Sequence, residues 1–186
     1  MLIELNNVSI HLGQRQIFDD FCLQIEKNDR ILLLGENGSG KTTLLNYICR
    51  HFKKICRISY LRQNDMLLPY NTVFQNLRLA GGEARATQFL ERLQLEEYKN
   101  DYPYQLSGGI HRQLLILRAL LFPYDLLLLD EPLANLDAAA IPAVCEMMEK
   151  ETENRALLVS AHQNAEALAF TNKTVIVYKK RGKIVS

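Results

Sequence analysis

The chain has 186 residues, of which 48% are hydrophobic and 23% are charged, and its formal net charge is +1. This length and composition are typical of one globular domain with a substantial core. We expect no nucleic-acid partner, because the phosphate backbone calls for a strongly basic face. The N-terminus lacks the basic start and apolar core of a signal peptide, and no apolar stretch is long enough to span a bilayer.

The first third of the chain predicts strands that lead into a sheet. Short alternating runs between residues 2 and 25, with a turn at Gly13-Gln14, predict antiparallel strands. Residues 31–34 are apolar throughout, as expected for a strand that is covered on both faces. This part of the chain therefore predicts an antiparallel β layer that feeds a central parallel sheet.

A glycine-rich loop follows this strand, where residues 35–43 read G-E-N-G-S-G-K-T-T. The pattern G-x-x-x-x-G-K-[ST] between a strand and a helix is typical of loops that bind nucleoside triphosphates. Glycine lets the backbone approach a phosphate, and the N-terminus of the following helix favours an anion. Lys41 is expected to reach the β- and γ-phosphates, and the Thr42 hydroxyl to bind Mg²⁺. The predicted nucleotide-binding residues of this loop are Gly35, Asn37, Gly38, Ser39, Gly40, Lys41, Thr42 and Thr43.

The middle of the chain predicts a helical region after a strand at 55–61. Helices are expected at 72–79 and 84–93, separated by two glycines at 81–82. In the second helix, apolar residues recur at i, i+3, i+4 and i+7, so that they share one face. Residues 64–105 therefore predict a compact helical insertion.

The last third predicts two further buried strands, each followed by polar residues. Residues 126–129 are four leucines followed by Asp130 and Glu131, and residues 156–160 lead to His162. Parallel sheets bind ligands at the C-terminal ends of their strands, so we expect these side chains to face one site. Asp130 would hold Mg²⁺ through its water shell, and Glu131 would act as general base toward an attacking water.

The remaining elements of this region are helices and a hairpin. A helix is predicted at 110–122, ended by Pro123, and Asp137 is expected to cap the helix that contains Pro142. Residues 174–185 predict a closing hairpin with its turn at 180–182.

Six short motifs occur in a characteristic order: the phosphate loop, Gln63, L-S-G-G at 106–109, Asp130-Glu131, N-L-D at 135–137 and His162. On these motifs the chain resembles the ATP-binding-cassette (ABC) ATPases from about residue 2 to residue 185. The resemblance implies an α/β fold, a P-loop NTPase with a RecA-like, mostly parallel sheet, an N-terminal antiparallel β layer and a small helical insertion. It implies one ABC ATPase domain over 1–186, with a catalytic core at 1–63 and 106–186 and a helical subdomain at 64–105.

The resemblance also implies a shared nucleotide site. Two copies would meet head-to-tail as a homodimer or heterodimer, and each would place Ser107 and the N–H groups of Gly108 and Gly109 on the γ-phosphate of ATP bound to its partner. Gln63 would contact Mg²⁺ or the attacking water, and His162 would hold the γ-phosphate and support Glu131. The implied catalytic residues are Lys41, Gln63, Glu131 and His162, the implied Mg²⁺ ligands are Thr42, Gln63 and Asp130, and Asp137 of the N-L-D motif is assigned to the nucleotide site.

Two positions depart from the family pattern. Leu12 stands where an aromatic residue usually stacks on adenine, so ATP is expected to bind less tightly or to use His11. Ile110 stands where glutamine is typical, which removes a polar contact near the partner's nucleotide and leaves the strength of closure open. Hydrolysis is expected to survive both changes, since neither touches the catalytic residues.

The expected role is the ATP-hydrolysing subunit of a membrane transporter, bound to a separate transmembrane permease at the cytoplasmic face of the membrane. Residues 66–76 are similar to the loop through which importer ATPases meet their permease, and with 130–137 they are most similar to the nitrate, sulfonate and taurine branch. Leu67, Leu68 and Phe74 suit permease contact and the core of the insertion equally well. A cassette ATPase of a soluble machine and a P-loop small-molecule kinase remain alternatives, and the signature at 107–109 disfavours the kinase.

Overall fold

The fold consists of a central sheet, a separate β-hairpin and a group of helices. The computed structural model describes residues 1–178 and the backbone of the strand at 181–185. The strands in chain order are β1 (Ile3–Leu12), β2 (Arg15–Ile25), β3 (Arg30–Leu34), β4 (Ile58–Leu61), β5 (Leu126–Asp130), β6 (Ala156–Ala161), β7 (Lys173–Tyr178) and β8 (Arg181–Val185). The helices are α1 (Lys41–Phe52), α2 (Val73–Gly81), α3 (Glu83–Arg92), α4 (Gly108–Leu121) and α5 (Ile141–Glu151), with short 3-10 helices at Glu96–Tyr98, Pro103–Gln105 and Ala165–Leu168.

The central sheet is parallel except at one edge. Its strand order is β4-β5-β6-β3-β7-β8, and only β8 pairs antiparallel to its neighbour. β5 and β6 are buried along their whole length, because helices cover both faces of a parallel sheet. The predicted α/β fold with its mostly parallel sheet is therefore confirmed.

The antiparallel layer is a single hairpin. β1 and β2 pair from Ile3 opposite Ile25 to Leu12 opposite Arg15, with irregular register after Leu5. Asn7 lies at this irregularity with a φ of 49°, which explains why the sequence suggests two short runs where the structure has one strand. The inward side chains of the hairpin pack with α1 and the central sheet in one of two core clusters.

The region between β4 and α4 is helical, as predicted. Thr72 caps α2 through a capping box with Gln75, and Gly82 separates α2 from α3. In α3, Ala86, Phe89 and Leu90 are buried, which matches the apolar face expected from their spacing. These side chains belong to a second core cluster that also contains most of α4.

Two local predictions need correction or restriction. Asp137 does not cap α5, because this helix begins at Ile141 after Ala140 and has no side-chain cap. β7 and β8 form the predicted hairpin, but Arg181 and Gly182 belong to β8, and the rest of the predicted turn lies outside the described residues. Within the described part of the chain, no helix is long and apolar enough to cross a membrane.

The packing of α3 makes a testable prediction about stability. Leu90→Ala should lower the free energy of unfolding by about 2–5 kcal/mol, because it opens a cavity at a side chain that is 1% exposed. The matched control is Leu79→Ala on α2, where the leucine is 63% exposed and the same change should cost less than about 0.5 kcal/mol. Urea denaturation measures both values, and equal losses would contradict this packing.

Candidate functional site

Glycines shape the loop after β3, through left-handed backbone angles and close packing. Gly38 and Gly40 have φ angles of 76° and 110°, in the left-handed region that L side chains avoid. A Cβ atom on Gly40 would also lie 2.5 Å from Cγ2 of Ile17, and one on Gly35 would lie 2.5 Å from the carbonyl oxygen of Val177. The loop therefore packs its backbone directly against the hairpin and β7 before α1 begins.

Lys41, the first residue of α1, is buried over this loop. Its ammonium group donates to the carbonyl oxygens of Gly35 at 2.6 Å and Glu36 at 3.2 Å, and lies 3.8 Å from Oε1 of Glu131. Burial lowers the pKa of Lys41, and the charges of Glu131 and Asp130 oppose this shift. The lysine is thus held between backbone oxygens and a carboxylate at the C-terminal edge of the sheet.

The other loop residues lie around Lys41 with different exposure. Ser39 is buried, and its hydroxyl has no hydrogen-bond partner among the described residues. Thr42 is exposed on the first turn of α1, Thr43 is half-buried behind it, and Asn37 is exposed on the loop. The Thr42 and Asn37 side chains are therefore accessible to a ligand.

Asp130 ends β5 with a carboxylate that is only partly satisfied. The side chain is 1% exposed, and its Oδ1 accepts a hydrogen bond of 2.7 Å from the hydroxyl of Ser160 on β6. Its Oδ2 is buried and has no protein partner in the described part of the chain. A buried carboxylate oxygen without a donor is costly unless a cation or a water molecule binds to it. Asp130 is therefore suited to bind a metal ion or an ordered water.

Glu131 follows in a strained conformation that directs it toward Lys41. Its φ is 48°, which is uncommon for a residue with a side chain, and its N–H donates to the hydroxyl of Ser160 at 2.9 Å. The carboxylate is half-buried and faces a cavity of about 280 Å³ whose walls include Asn37 and His162. The structure thus brings Lys41, Asp130, Glu131 and His162 together.

The residues of the L-S-G-G motif do not line this cavity. Ser107 and Gly108 are exposed at the N-terminus of α4, where the Ser107 hydroxyl accepts from the N–H of Ile110 at 3.3 Å. A Cβ atom on Gly109 would lie 3.0 Å from Oδ2 of Asp137, so the motif and the N-L-D segment are neighbours. They form a second polar surface of the same chain.

Three further positions of the sequence analysis have clear locations. Gln63 is exposed just after β4. Leu12 is exposed beside the hairpin turn, and Ile110 is half-buried against the core cluster that contains α4. The isoleucine that departs from the family pattern therefore has a packing role.

Sequence reasoning missed two polar residues that hold this site together. Ser160 bridges Asp130 and the backbone of Glu131, and Arg112 donates from α4 to the carbonyl oxygens of both. Two signals could have identified them: a serine near the end of a buried apolar strand, and an arginine on the apolar face of a helix. Buried polar side chains are normally hydrogen-bonded, so each of these residues predicts a polar partner inside the protein.

Comparison with known proteins places the chain in a family. A family model described as ABC transporter matches residues 18–134, which is more than half of the chain. Aliphatic sulfonates import ATP-binding proteins of Paraburkholderia xenovorans and Burkholderia ambifaria are 33% and 34% identical to it, and their matches cover 96% of this chain. A sulfate/thiosulfate import ATP-binding protein of Photorhabdus laumondii is 28% identical over 95% of the chain. The chain spans only 58% to 62% of the length of these relatives.

Solved structures agree on the fold. The ATP-binding subunit of an ABC transporter superposes with a TM-score of 0.83 at 23% identity, over 100% of this chain and 90% of that one. A dimeric bacterial ABC transporter cassette superposes with a TM-score of 0.80 at 23% identity, over 98% of both chains. With the family model, the import relatives and the shared fold, the chain belongs to the ABC transporter family.

Proposed function

We propose that this chain is the nucleotide-binding subunit of an ABC transporter, and that it binds and hydrolyses ATP to drive a separate permease. One observation carries the proposal: Lys41, Asp130, Glu131 and His162 meet at the C-terminal edge of one parallel sheet. A buried cation beside a glycine loop, a carboxylate that can hold Mg²⁺ and a carboxylate that can orient water are groups that phosphoryl transfer to water uses. An imidazole lines the same cavity. The import relatives named above support the same role.

The glycine loop and Lys41 bind the triphosphate in this proposal. The loop backbone and the N-terminus of α1 supply N–H donors, and Lys41 supplies a cation that is already fixed by Gly35 and Glu36. Because the ammonium is held in place before the ligand arrives, little side-chain entropy is lost on binding. In this proposal Asn37, Ser39, Thr42 and Thr43, which belong to the loop and the first turn of α1, also bind the nucleotide.

The residues present fit a magnesium ion. Mg²⁺ prefers oxygen ligands, and the buried Oδ2 of Asp130 has no donor among the residues that the structure describes, as expected for an oxygen that binds a metal ion or water. We propose that Asp130, the Thr42 hydroxyl and the Gln63 amide oxygen hold the ion directly or through its waters. When bound, Mg²⁺ would neutralise charge on the phosphates.

Glu131 acts as general base in this proposal. Its carboxylate faces the cavity beside Lys41, where it accepts a proton from the attacking water. His162, which lines the same cavity, donates to the γ-phosphate and supports Glu131. Ser160 keeps the base in place by holding its backbone N–H.

The signature residues require a second subunit. Ser107, Gly108 and Gly109 lie outside the cavity that holds Glu131, and they stand at the N-terminus of a 14-residue helix that favours an anion. We propose that two nucleotide-binding subunits pair head-to-tail, so that this surface and Asp137 close on the partner's ATP. The dimeric cassette among the solved structures supports the presence of a second subunit. A homodimer or a heterodimer would satisfy this proposal.

A permease is the second proposed partner. A cleft of about 400 Å³ between β4 and α4 is lined by residues that include Tyr60, Asp65 and Phe122. Met66, Leu68, Tyr70 and Phe122 are large apolar side chains that are at least 42% exposed. Leu67 is buried and Phe74 packs against the core, so only part of the predicted contact loop is free to bind. Exposed apolar side chains suit a protein partner, and Phe122 among them lines the cleft. A permease bound here would place the chain at the cytoplasmic face of a membrane.

We further propose that residues 64–105 form a helical subdomain within one ABC ATPase domain, whose catalytic core is 1–63 and 106–186. The import relatives do not favour the soluble machine or the small-molecule kinase. We propose an importer of the nitrate, sulfonate and taurine branch, which agrees with the names of the sulfonate import relatives.

Glu131→Gln tests the general base. Purified protein should release phosphate from ATP, and the variant should lose about 10²- to 10⁴-fold in turnover while it still binds ATP, because the amide cannot accept the proton. Glu153→Gln is the matched control at an exposed position remote from the cavity. Phosphate release and equilibrium binding of labelled ATP measure the two effects. Undiminished turnover of the Glu131 variant would refute this role.

Ser107→Arg tests the shared site. The homodimer should lose most hydrolysis, since a long cationic side chain at the N-terminus of α4 prevents closure on the partner's ATP, while ATP still binds the intact loop. Mixing this variant with Lys41→Ala should restore roughly a quarter of the wild-type rate, because half of the statistically formed dimers contain one complete site. Normal turnover of the Ser107→Arg homodimer would rule out a site shared between subunits.

A further inference from the structure

The guanidinium of Arg112 lies at the junction of two chain segments. Arg112 is in the second turn of α4 and is 7% exposed. Nε donates to the carbonyl oxygen of Pro132 at 3.1 Å, and Nη2 donates to those of Asp130 at 2.9 Å and Glu131 at 2.8 Å. Nη1 donates to those of Arg62 at 3.3 Å and Gln63 at 3.5 Å. The five N–H donors of a guanidinium thus meet five backbone oxygens.

This arrangement is unusual for a buried charge. None of the ion pairs among the described residues includes Arg112, so carbonyl dipoles alone solvate the cation directly. Burial lowers the pKa of Arg112, while the charges of Asp130, Asp65 and Glu131 oppose the shift. A buried cation is costly unless it is fully hydrogen-bonded, and the buried carbonyl oxygens that Arg112 meets would lose a donor if an aliphatic side chain replaced it. The arginine therefore has a purpose beyond packing.

One of the two segments carries the strained residue Glu131. Its φ of 48° persists only if the surroundings fix it, and both of its peptide groups are fixed. Ser160 holds its N–H at 2.9 Å, and its carbonyl oxygen accepts from Arg112 at 2.8 Å and from the N–H of Ala134 at 3.1 Å. Loss of the Arg112 bond would release one side of this conformation and change where the carboxylate points.

The other segment is the loop that contains Gln63. Arg112 holds the start of residues 62–66, and Arg118, two turns further along α4, donates to the carbonyl oxygen of Met66 at 2.9 Å. Met66 is 72% exposed and directly follows Asp65, which lines the proposed permease cleft. One planar group therefore connects the proposed permease loop with the backbone of the proposed base.

We propose that Arg112 is a positioning residue that fixes Glu131 and Gln63 relative to each other, so that movement of the 62–66 loop changes the orientation of the catalytic carboxylate. The inference rests on the proposed ATPase function. Arg112 touches neither substrate nor reacting atoms, and it acts through the two backbone segments that it links.

Arg112→Lys tests this role with the charge retained. An ammonium is a point charge with three donors, so it cannot meet five carbonyl oxygens in two segments. We expect kcat to fall at least about tenfold, with KM for ATP and the dissociation constant for ATP within about twofold of wild type. The matched control is Arg118→Lys. Arg118 makes one hydrogen bond to the carbonyl oxygen of Met66, which a lysine can also make, so kcat should stay within about twofold of wild type.

Two measurements separate positioning from folding. Stoichiometric ATP binding gives the folded fraction of each preparation, and a purely structural role would lower kcat only in proportion to it. Adding Arg112→Lys to Glu131→Asp should lower kcat less than it does alone, because both changes act on one carboxylate. Arg112→Gln, which keeps hydrogen-bonding capacity without charge, should be at least as impaired as Arg112→Lys.

The outcomes are distinct. An Arg112→Lys protein with wild-type kcat, or a loss that follows the folded fraction, would overturn the inference while ATP hydrolysis by the wild type upheld the proposed function. A fully multiplicative effect in the double variant would also overturn it. Absence of hydrolysis by the wild-type protein would instead refute the proposed function, and the inference with it.

Discussion

The parallel pairing of β3, β6 and β5 is the constraint on which the site depends. Leu34 lies opposite Ala161, and Asp130 lies opposite Ser160, so three strands end at one level. Each strand is followed by polar groups that the apolar sheet could not accommodate: the glycine loop, the two carboxylates and His162. A shift of one residue in register would move the end of one strand away from the ends of the other two, so the pairing of these strands also fixes where the polar groups emerge.

The sequence predicts this edge well because its signals are local. Four leucines before Asp130 identify a buried strand and its end, and the glycine pattern before Lys41 identifies a loop with left-handed residues. The position of β6 between β3 and β5 does not follow from such patterns, since strand order depends on long-range packing. The resemblance to a known family supplies what periodicity alone leaves open.

Other features were missed for physical reasons that can be named. Asp137 has a residue type typical of helix caps, yet its carboxylate lies beside Gly109 and α5 begins four residues later. Arg112 and Ser160 act on backbone atoms of segments that are distant in sequence, and single-residue patterns do not reveal such bonds. The positive φ of Glu131 is equally hidden, because glutamate has no preference for that conformation.

Several features of the proposed catalytic site lower the free energy of unfolding. The buried Oδ2 of Asp130 lacks a donor in the described residues, Glu131 is strained, and Lys41 is buried with a lowered pKa. Each of these features opposes folding, and together they lie within one edge of a sheet whose strands are otherwise almost fully apolar. Their position beside the glycine loop suits a preorganised site, because the groups that stabilise a transferred phosphoryl must be in place before the ligand binds.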